Sequence, residues 1–414
     1  MSPAATTHRA PVTRRFTEQR WLLDNIIRSV GMDWDQPRSI YLSSPCGVEA
    51  SADFAGLRQR ITKLADASPA FEAVARRREA RAQAAEQDGH AVTARENYFM
   101  AAVHWGAAQW PIDENDDQNR FYNARKRECY TRYAQLADHH VEAAWIPLPG
   151  GQSLPAWLHL PPGYRGGRVP AVISVPGMDS FKEMGVAMYG DRWLSRGLAV
   201  LAVDGPGQYE SPVLGIYFSM PAWVAAGTAL VDWLRARPEV DPDRIGLAGN
   251  SFGSFFGTIA AAHEPRIRAV AVSAVCHEPG FHTIFEEASP TFKMRFMYMS
   301  GISDEAEFDR FRRGMTWEGH AELIHAPYLC VAGEAEELSP LEHTERLMRA
   351  LAGPRRLVVY QDSRHSVGNV PAANLGPFPP LLMADWMAAT LDGKPFPSEK
   401  WYVEASGRIV KTPM

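Results

Sequence analysis

Apolar residues in the first third of the chain recur at helical spacing. Phe54, Leu57, Ile61 and Leu64 show the three- and four-residue steps that place side chains on one face of a helix. Longer stretches of the same kind follow, and a polar turn or a proline ends them. We therefore predict an N-terminal helical domain over residues 1–137. Its longest predicted helices are 71–87, 91–110 and 119–137.

After Asp138 the pattern changes to short apolar runs that alternate with helical segments. The first two runs, separated by Pro-Gly-Gly, predict a hairpin. The later runs predict buried strands of a mostly parallel sheet with helices on both faces, the arrangement of an α/β-hydrolase domain over residues 138–414. The predicted strands are 141–148, 154–160, 169–175, 198–203, 244–248, 269–275, 328–332 and 357–360. The predicted helices between and after them are 189–196, 221–237, 253–262, 342–351 and 380–391.

Residues 278–320 interrupt this alternation and are rich in Phe and Met. One interpretation is a helical insertion whose aromatic side chains pack on the core. The other is a cap over the carboxyl ends of the strands, where ligands bind in open α/β sheets. The two are compatible, and the second predicts that Phe285 and Phe292 contact the substrate.

Composition excludes several classes of function. The 414 residues carry a net charge of −5, and no basic stripe indicates nucleic-acid binding. No segment has the roughly 18 consecutive apolar residues that cross a membrane, and the N-terminus lacks the apolar core of a secretory signal. The four cysteines show no metal-ligand spacing. We expect a cytoplasmic protein that acts on a small molecule and uses no metal; a homodimer is left open.

The segment Gly249-Asn250-Ser251-Phe252-Gly253 has the form Gly-x-Ser-x-Gly. It directly follows a predicted strand and precedes a helix of small residues, which is the context of a nucleophile elbow. A glycine-rich packing turn is the alternative interpretation. We predict that Ser251 is a nucleophile.

A serine hydroxyl needs a base, which itself needs an orienting acid. His365 follows the last predicted strand and precedes the last predicted helix, and none of the other histidines has a comparable place. The acid should follow the preceding strand, where the chain has three glutamates and no aspartate. We predict Glu336, with Glu337 as the alternative; a solvated turn is the other interpretation of these carboxylates.

The negative oxygen of a tetrahedral intermediate needs hydrogen-bond donors. We predict the backbone N–H of Phe252, which follows the nucleophile, and that of Met178, in the loop after the strand 169–175. Asp179 is the alternative to Met178 in that loop.

Three motifs carry a resemblance to a known family: PGMDSFKE at 176–183, DGPGQYE at 204–210 and GNSFG at 249–253. Together they resemble the 2,6-dihydroxypseudooxynicotine hydrolase family, which is similar to FrsA-like esterases and to fungal yellowish-green pigment hydrolases. The resemblance implies cleavage of an ester, or of a carbon–carbon bond next to a ketone, without metal or organic cofactor. Ser251 and His365 match the family's nucleophile and base, whereas Glu336 falls where the family has an aspartate.

The resemblance also implies residues that contact the substrate. The family has a carboxylate in the cap, and Glu286 and Glu287 fall near its position. Tyr209 stands where the family has a small residue, so we expect it to narrow the pocket. The turn 204–208 itself is expected to have a structural role.

These observations predict a serine hydrolase that cleaves a bulky aromatic ketone or ester through an acyl-enzyme. An acyltransferase with the same triad is an alternative, as is a non-catalytic regulatory protein on a hydrolase scaffold. The intact order of serine, acid and histidine argues against the regulatory protein, because a site without catalysis does not need a strained elbow.

Overall fold

The computed structural model describes residues 10–414 of the chain. Its first part is helical, and the three longest predicted helices correspond to α4, α5 and α6. Helix α5 is buried on nearly every face because it packs between α4 and α6. The helices of this part are α1 (Arg14–Val30), α2 (Arg38–Ser43), α3 (Ser51–Arg60), α4 (Ala67–Gln87), α5 (Ala91–Gln109) and α6 (Asp117–Leu136).

The second part contains a ten-stranded sheet in the order β1-β2-β4-β3-β5-β6-β7-β8-β9-β10. Strands β3 to β9 run parallel, while β1, β2 and β10 pair antiparallel at the two edges. The predicted, mostly parallel sheet is therefore confirmed. The strands are β1 (Val141–Pro147), β2 (Ser153–His159), β3 (Val169–Val175), β4 (Ala199–Val203), β5 (Val240–Ser251), β6 (Ala269–Val275), β7 (Tyr328–Gly333), β8 (Arg355–Tyr360), β9 (Glu399–Val403) and β10 (Ile409–Pro413).

Helices cover both faces of this sheet. Side chains of α8, α9 and α12 share one hydrophobic core with the strands, and those of α14 share the core on the opposite face. The helices of this part are α7 (Glu210–Val213), α8 (Met220–Arg235), α9 (Phe252–His263), α10 (Pro290–Ser300), α11 (Glu305–Arg312), α12 (Leu341–Ala350), α13 (Pro371–Leu375) and α14 (Pro379–Leu391). Within residues 10–414, no helix is both long and apolar enough for a bilayer crossing.

Two details differ from the sequence predictions. The predicted helix 189–196 is only a 3-10 turn at Leu194–Arg196, because Gly190 has φ +57° and the Asp191 carboxylate accepts the backbone N–H groups of Trp193 and Leu194. Strands β9 and β10 were not predicted. They extend the sheet beyond β8, with β9 half-buried and β10 mostly exposed at the edge.

The two parts of the molecule share a hydrophobic core. Helix α6 ends at Leu136 and β1 begins at Val141, so the predicted boundary after residue 137 falls in their connection. The core of the N-terminal helices also includes Trp157, Phe181 and Tyr209 from the sheet part. Burial of these aromatic side chains ties the helices to the loops that follow the strands.

Candidate active site

The turn from β5 to α9 has the geometry of a nucleophile elbow. Ser251 has φ 56° and ψ −128°, a strained conformation for a residue with a side chain. A Cβ atom on Gly253 would lie 2.3 Å from the carbonyl oxygen of Val175, so only glycine allows α9 to start this close to β3. The local sequence thus presents the Ser251 side chain at the carboxyl end of the central strand.

The three side chains predicted as a triad form one hydrogen-bonded chain. Ser251 Oγ lies 2.9 Å from His365 Nε2, and His365 Nδ1 lies 2.8 Å from Glu336 Oε1. His365 follows β8 and Glu336 follows β7, so parallel strands bring the residues to one edge of the sheet. When Nδ1–H donates to Glu336, Nε2 is left as the acceptor for the Ser251 hydroxyl.

The neighbouring carboxylate Glu337 has a different contact. Glu337 Oε2 accepts the backbone N–H of His365 at 2.8 Å, so it fixes the main chain of the histidine loop. Glu336 is the carboxylate that meets the imidazole ring, and it also accepts the N–H of Leu338 at 3.1 Å. Two adjacent glutamates therefore orient the same histidine at two different points.

Opposing influences act on the protonation of His365. Burial lowers the pKa of the imidazole, because a buried cation loses its hydration. The charge and hydrogen bond of Glu336 raise it, as do the charges of Glu337 and Asp179, and the result is a pKa above the ordinary value of 6.5. The surrounding carboxylates thus stabilise the protonated form of the His365 imidazole.

The loop after β3 packs directly on the elbow. A Cβ atom on Gly177 would lie 2.7 Å from Ser251 Cβ, so this position also requires glycine. The N–H of Gly177 donates to Ser180 Oγ at 3.0 Å, which leaves Met178 as the next backbone donor along the loop. Phe252 is the first residue of α9, where a backbone N–H has no partner within the helix.

The turn 204–208 forms hydrogen bonds to the loop after β3. The Gln208 side chain donates to the carbonyl oxygens of Pro176 and Gly177, while its own Oε1 accepts the N–H of Gly205 at 2.9 Å. Tyr209, with φ 31°, donates its hydroxyl to the carbonyl oxygen of Asp179 at 3.2 Å. The DGPGQYE motif thus supports the loop next to Ser251 through contacts with its carbonyl groups.

A buried cluster of charges anchors both ends of that turn. Lys182 Nζ lies 2.6 Å from Glu210 Oε2, 2.7 Å from Glu183 Oε1 and 3.3 Å from Asp204 Oδ2. Lys126 of α6 adds a second cation 3.7 Å from Glu183 Oε2. All five residues are at most 2% exposed, so their charges need compensation from one another and from Arg127, whose Nε lies 3.1 Å from Glu210 Oε1.

The N-terminal helices also contact the loop after β3. The indole N–H of Trp110 donates to Asp179 Oδ1 at 2.7 Å. Arg38 is 1% exposed, and its guanidinium lies 3.8 Å from the centre of the Trp110 ring and 3.6 Å from Asp179 Oδ1. Neither contact was predicted, because Arg38 and Trp110 are far from this loop in sequence and belong to no recognisable motif.

A cavity of about 370 Å³ opens beside Ser251 and His365. The segment 34–45, defined here as α2 with its flanking residues, provides one wall, and the residues around the start of α14 provide another. The apolar side chains of these two walls include Ile40, Tyr41, Phe378 and Met383, and Val367 of the His365 loop adds to them. The volume is within the range of small-molecule sites.

The five residues predicted to contact the substrate lie elsewhere among the described residues. Phe285 and Phe292 belong to the hydrophobic core, at 0% and 2% exposure. Glu286 pairs with Lys293 and Arg312, and Glu287 with His282, while Tyr209 packs behind the loop after β3. None of the five lines the described cavity, so their contact with a substrate stays a prediction. Core burial explains the two phenylalanines, and ion pairs within the insert explain the glutamates.

Comparison with known proteins identifies the family of the chain. The profile of the FrsA-like esterases matches residues 71–307, more than half of the chain. The chain is similar to the 2,6-dihydropseudooxynicotine hydrolase of Paenarthrobacter nicotinovorans, with 30% identity over 310 residues, 72% of this chain and 77% of that protein. It is also similar to the α/β-hydrolase xenA of Xenoacremonium sinensis, with 29% identity over 252 residues. That second match spans 58% of this chain and only 58% of its relative.

A solved structure extends the likeness over most of the chain. The crystal structure of the 2,6-dihydroxy-pseudo-oxynicotine hydrolase superposes with a TM-score of 0.74 at 26% identity. The match covers 87% of this chain and 98% of that one, so it includes both the helical part and the sheet. The predicted α/β-hydrolase fold is therefore confirmed.

Proposed function

The chain belongs to the FrsA-like esterase family, and from that premise we propose that it is a serine hydrolase with a Ser251–His365–Glu336 triad. Its proposed reaction cleaves an ester, or a carbon–carbon bond next to a ketone, in a bulky aromatic substrate. The observation that carries the proposal is the continuous hydrogen-bonded chain, 2.9 Å from Ser251 to His365 and 2.8 Å from His365 to Glu336. The name of the 2,6-dihydropseudooxynicotine hydrolase relative supports an aromatic substrate.

In the proposed first step, Ser251 Oγ attacks the substrate carbonyl carbon while its proton passes to His365 Nε2. Glu336 keeps the proton of Nδ1 in place and stabilises the imidazolium. The N–H groups of Phe252 and Met178 stabilise the negative oxygen of the tetrahedral intermediate. Collapse of this intermediate expels an alkoxide, or an enolate when a carbon–carbon bond breaks, and the proton on Nε2 passes to that leaving group.

In the second step, water replaces the leaving group. His365 Nε2 takes a proton from the water, whose oxygen attacks the acyl-enzyme carbonyl, and the same proton returns to Ser251 Oγ as the acid departs. No group other than water is consumed. The two proposed substrate classes differ only in the leaving group, since both give a Ser251 ester.

A fluorophosphonate label tests the nucleophile. We expect the label on Ser251 alone, and Ser251→Ala should lower kcat for p-nitrophenyl esters by about 10⁴–10⁶-fold, as triad substitutions do. Ser366→Ala, which alters another serine in the cavity wall, is the matched control and should stay within a few-fold of the unaltered protein. Activity of Ser251→Ala within tenfold would rule out the proposal. Aryl 1,3-diketones assayed beside the esters separate the two substrate classes, and added alcohols reveal any acyl transfer.

The triad acid is tested by a pair of isosteric substitutions. Glu336→Gln should lower kcat by about 10³–10⁴-fold, because an amide no longer stabilises the imidazolium. Glu337→Gln should have a much smaller effect, since its side-chain carbonyl still accepts the N–H of His365. Reversed magnitudes would assign the acid to Glu337, and two mild effects would place it elsewhere.

A further inference from the structure

Asp179 is the one carboxylate among the described residues that line the cavity beside Ser251. Its Oδ1 is occupied, because it accepts the indole N–H of Trp110 at 2.7 Å and lies 3.6 Å from the Arg38 guanidinium. Its main-chain carbonyl accepts the Tyr209 hydroxyl at 3.2 Å. Three contacts therefore fix both the backbone and the carboxylate of this residue.

The second carboxylate oxygen has a different environment. Within residues 10–414, Asp179 Oδ2 accepts no hydrogen bond, and it is not among the buried polar atoms that lack a partner. The Asp179 side chain keeps 16% exposure, and the residue lies in the cavity wall. Oδ2 is thus an acceptor that is accessible from the cavity and held in a fixed position.

The position of this acceptor relates it to the reaction. Asp179 follows Met178 directly in the loop that packs on the elbow, and its charge is one of those that raise the pKa of His365. A ligand whose carbonyl group reaches Ser251 Oγ therefore lies next to the carboxylate. A ligand without a donor would leave Oδ2 buried and unpaired, which is costly.

Resting on the proposed function, we propose that Asp179 binds a hydroxyl group, phenolic or enolic, that the substrate carries near the carbonyl attacked by Ser251. A neutral donor is favoured over an ammonium group because the Arg38 guanidinium, 3.6 Å from Oδ1, already provides this carboxylate with a cation. Most of the remaining wall is apolar, so the hydroxyl belongs to an otherwise apolar, ring-containing substrate. The residue is a specificity determinant for the hydrolase, additional to its triad.

The test compares matched p-nitrophenyl esters of hydroxyphenylacetic and methoxyphenylacetic acids, substituted at position 3 or 4. In the unaltered protein the better hydroxy ester should exceed its methoxy partner about tenfold or more in kcat/KM, since a hydrogen bond to a charged acceptor is a strong one. Asp179→Asn should remove or reverse this preference. The amide oxygen can still accept from Trp110, while its NH₂ group presents a donor to the cavity in place of an acceptor.

Trp110→Phe is the matched control. It keeps the carboxylate and an aromatic ring beside Arg38 but removes the N–H that holds Oδ1. Both esters should slow by a similar factor, and the preference for the hydroxy ester should persist. Loss of the preference in Trp110→Phe but not in Asp179→Asn would overturn the assignment to Asp179.

Further outcomes separate this inference from the proposed function. Phosphonate labelling of Ser251 and turnover of p-nitrophenyl acetate report the hydrolase itself, whatever the ester preference is. Equal rates for hydroxy and methoxy esters at both ring positions would overturn the Asp179 proposal alone, and faster turnover of an aminomethyl ester would overturn the choice of a neutral donor. If Asp179→Asn does not fold, inhibition of the unaltered protein by two matched ketones tests the proposal. In that case 4-hydroxyacetophenone must bind more tightly than 4-methoxyacetophenone, and equal binding would overturn the proposal.

Discussion

Two regions of the molecule lie near Ser251 and make different contacts there. They are the segment 34–45 and the insert 278–320 between β6 and β7. The first borders the cavity with side chains such as Ile40, which is 49% exposed. The second presents Phe281, Phe285 and Phe296 to the ring of Phe252, the residue that follows the nucleophile. One segment thus forms a wall of the cavity, and the other supports the elbow from within the core.

A related contrast separates a buried lysine of the N-terminal helices from a buried lysine of the insert. Lys126 of α6 belongs to the charge cluster that anchors the turn 204–208. Gln208 of that turn donates to the loop next to Ser251. Lys293 of α10 pairs with Glu286, Glu305 and Asp309, so its partners all belong to the insert. Lys126 therefore connects the N-terminal helices electrostatically to the catalytic loops, whereas Lys293 is compensated within the insert. Another cation of the insert, Arg295, pairs with Asp113 of the N-terminal part.

The largest expected effect follows removal of the N-terminal helices. A shortened chain that begins at Asp138 should be insoluble or inactive, because Trp157, Phe181 and Tyr209 lose the core that buries them and Lys126 is lost from the charge cluster. Solubility and turnover of p-nitrophenyl acetate and of a bulky aryl ester measure this. Full activity on the bulky ester would show that these helices form an independent module and would remove the basis of the comparison.

The buried lysines provide the next test. Lys126→Met should lower the free energy of unfolding by about 3 kcal/mol, because the buried carboxylates of its cluster lose one of their cations. Lys293→Met should cost less, because the side chains of Glu286, Glu305 and Asp309 are 26%, 27% and 31% exposed. Only Lys126→Met should also lower kcat, by about tenfold or more, through the displaced loop after β3. Denaturant unfolding and steady-state kinetics on the same samples separate the two effects. A comparable fall in kcat for both variants would show that the insert also positions the site.

The order of the strands explains which parts of the site could be predicted from the sequence. The elbow, His365 and Glu336 follow from chain order and local pattern, since parallel strands bring the residues after β5, β7 and β8 to one edge. The family resemblance, which the comparisons confirm, rests on motifs at the ends of β3, β4 and β5. The contacts of Arg38 and Trp110 with Asp179 join distant segments and leave no periodic signal.

The Phe-rich insert shows a second limit of prediction from the sequence. An aromatic side chain that packs on Phe252 and one that lines a cavity have the same sequence signature, and only the packing separates Phe285 from Phe378. Strands β9 and β10 escaped prediction for a related reason. Their sequences, EKWYV and IVKTP, mix charged, polar and apolar residues at a partly exposed sheet edge, which is weaker evidence for a strand than the apolar runs in the core of the sheet.

A smaller expected effect on stability and KM distinguishes the cavity wall at 34–45 from the insert 278–320. Phe285→Ala should cost about 3–5 kcal/mol in the free energy of unfolding, since it leaves a cavity in an aromatic core. Its KM ratio between bulky and small esters should change little. Ile40→Ala should cost much less stability, because its side chain is half exposed, yet raise KM for bulky aryl esters several-fold relative to p-nitrophenyl acetate. The opposite pattern of KM ratios would show that the insert, and not the segment 34–45, contacts bulky substrates.

The smallest expected effect concerns the pH dependence of kcat/KM. His365 must be neutral to act as a base, and nearby carboxylates raise its pKa above the ordinary 6.5, so activity should fall with acidification at a pH above that value. Glu337→Gln removes one of the charges that raise this pKa but keeps an acceptor for the His365 N–H, so the acid limb should move to lower pH. Glu286→Gln, the matched change in the insert, should leave the limb in place, because the charges acting on His365 are those of Glu336, Glu337 and Asp179. The profiles are measured with p-nitrophenyl acetate, which fills little of the cavity and so reports the triad. A shift in Glu286→Gln as large as that in Glu337→Gln would show that the insert contributes to the electrostatics of the site.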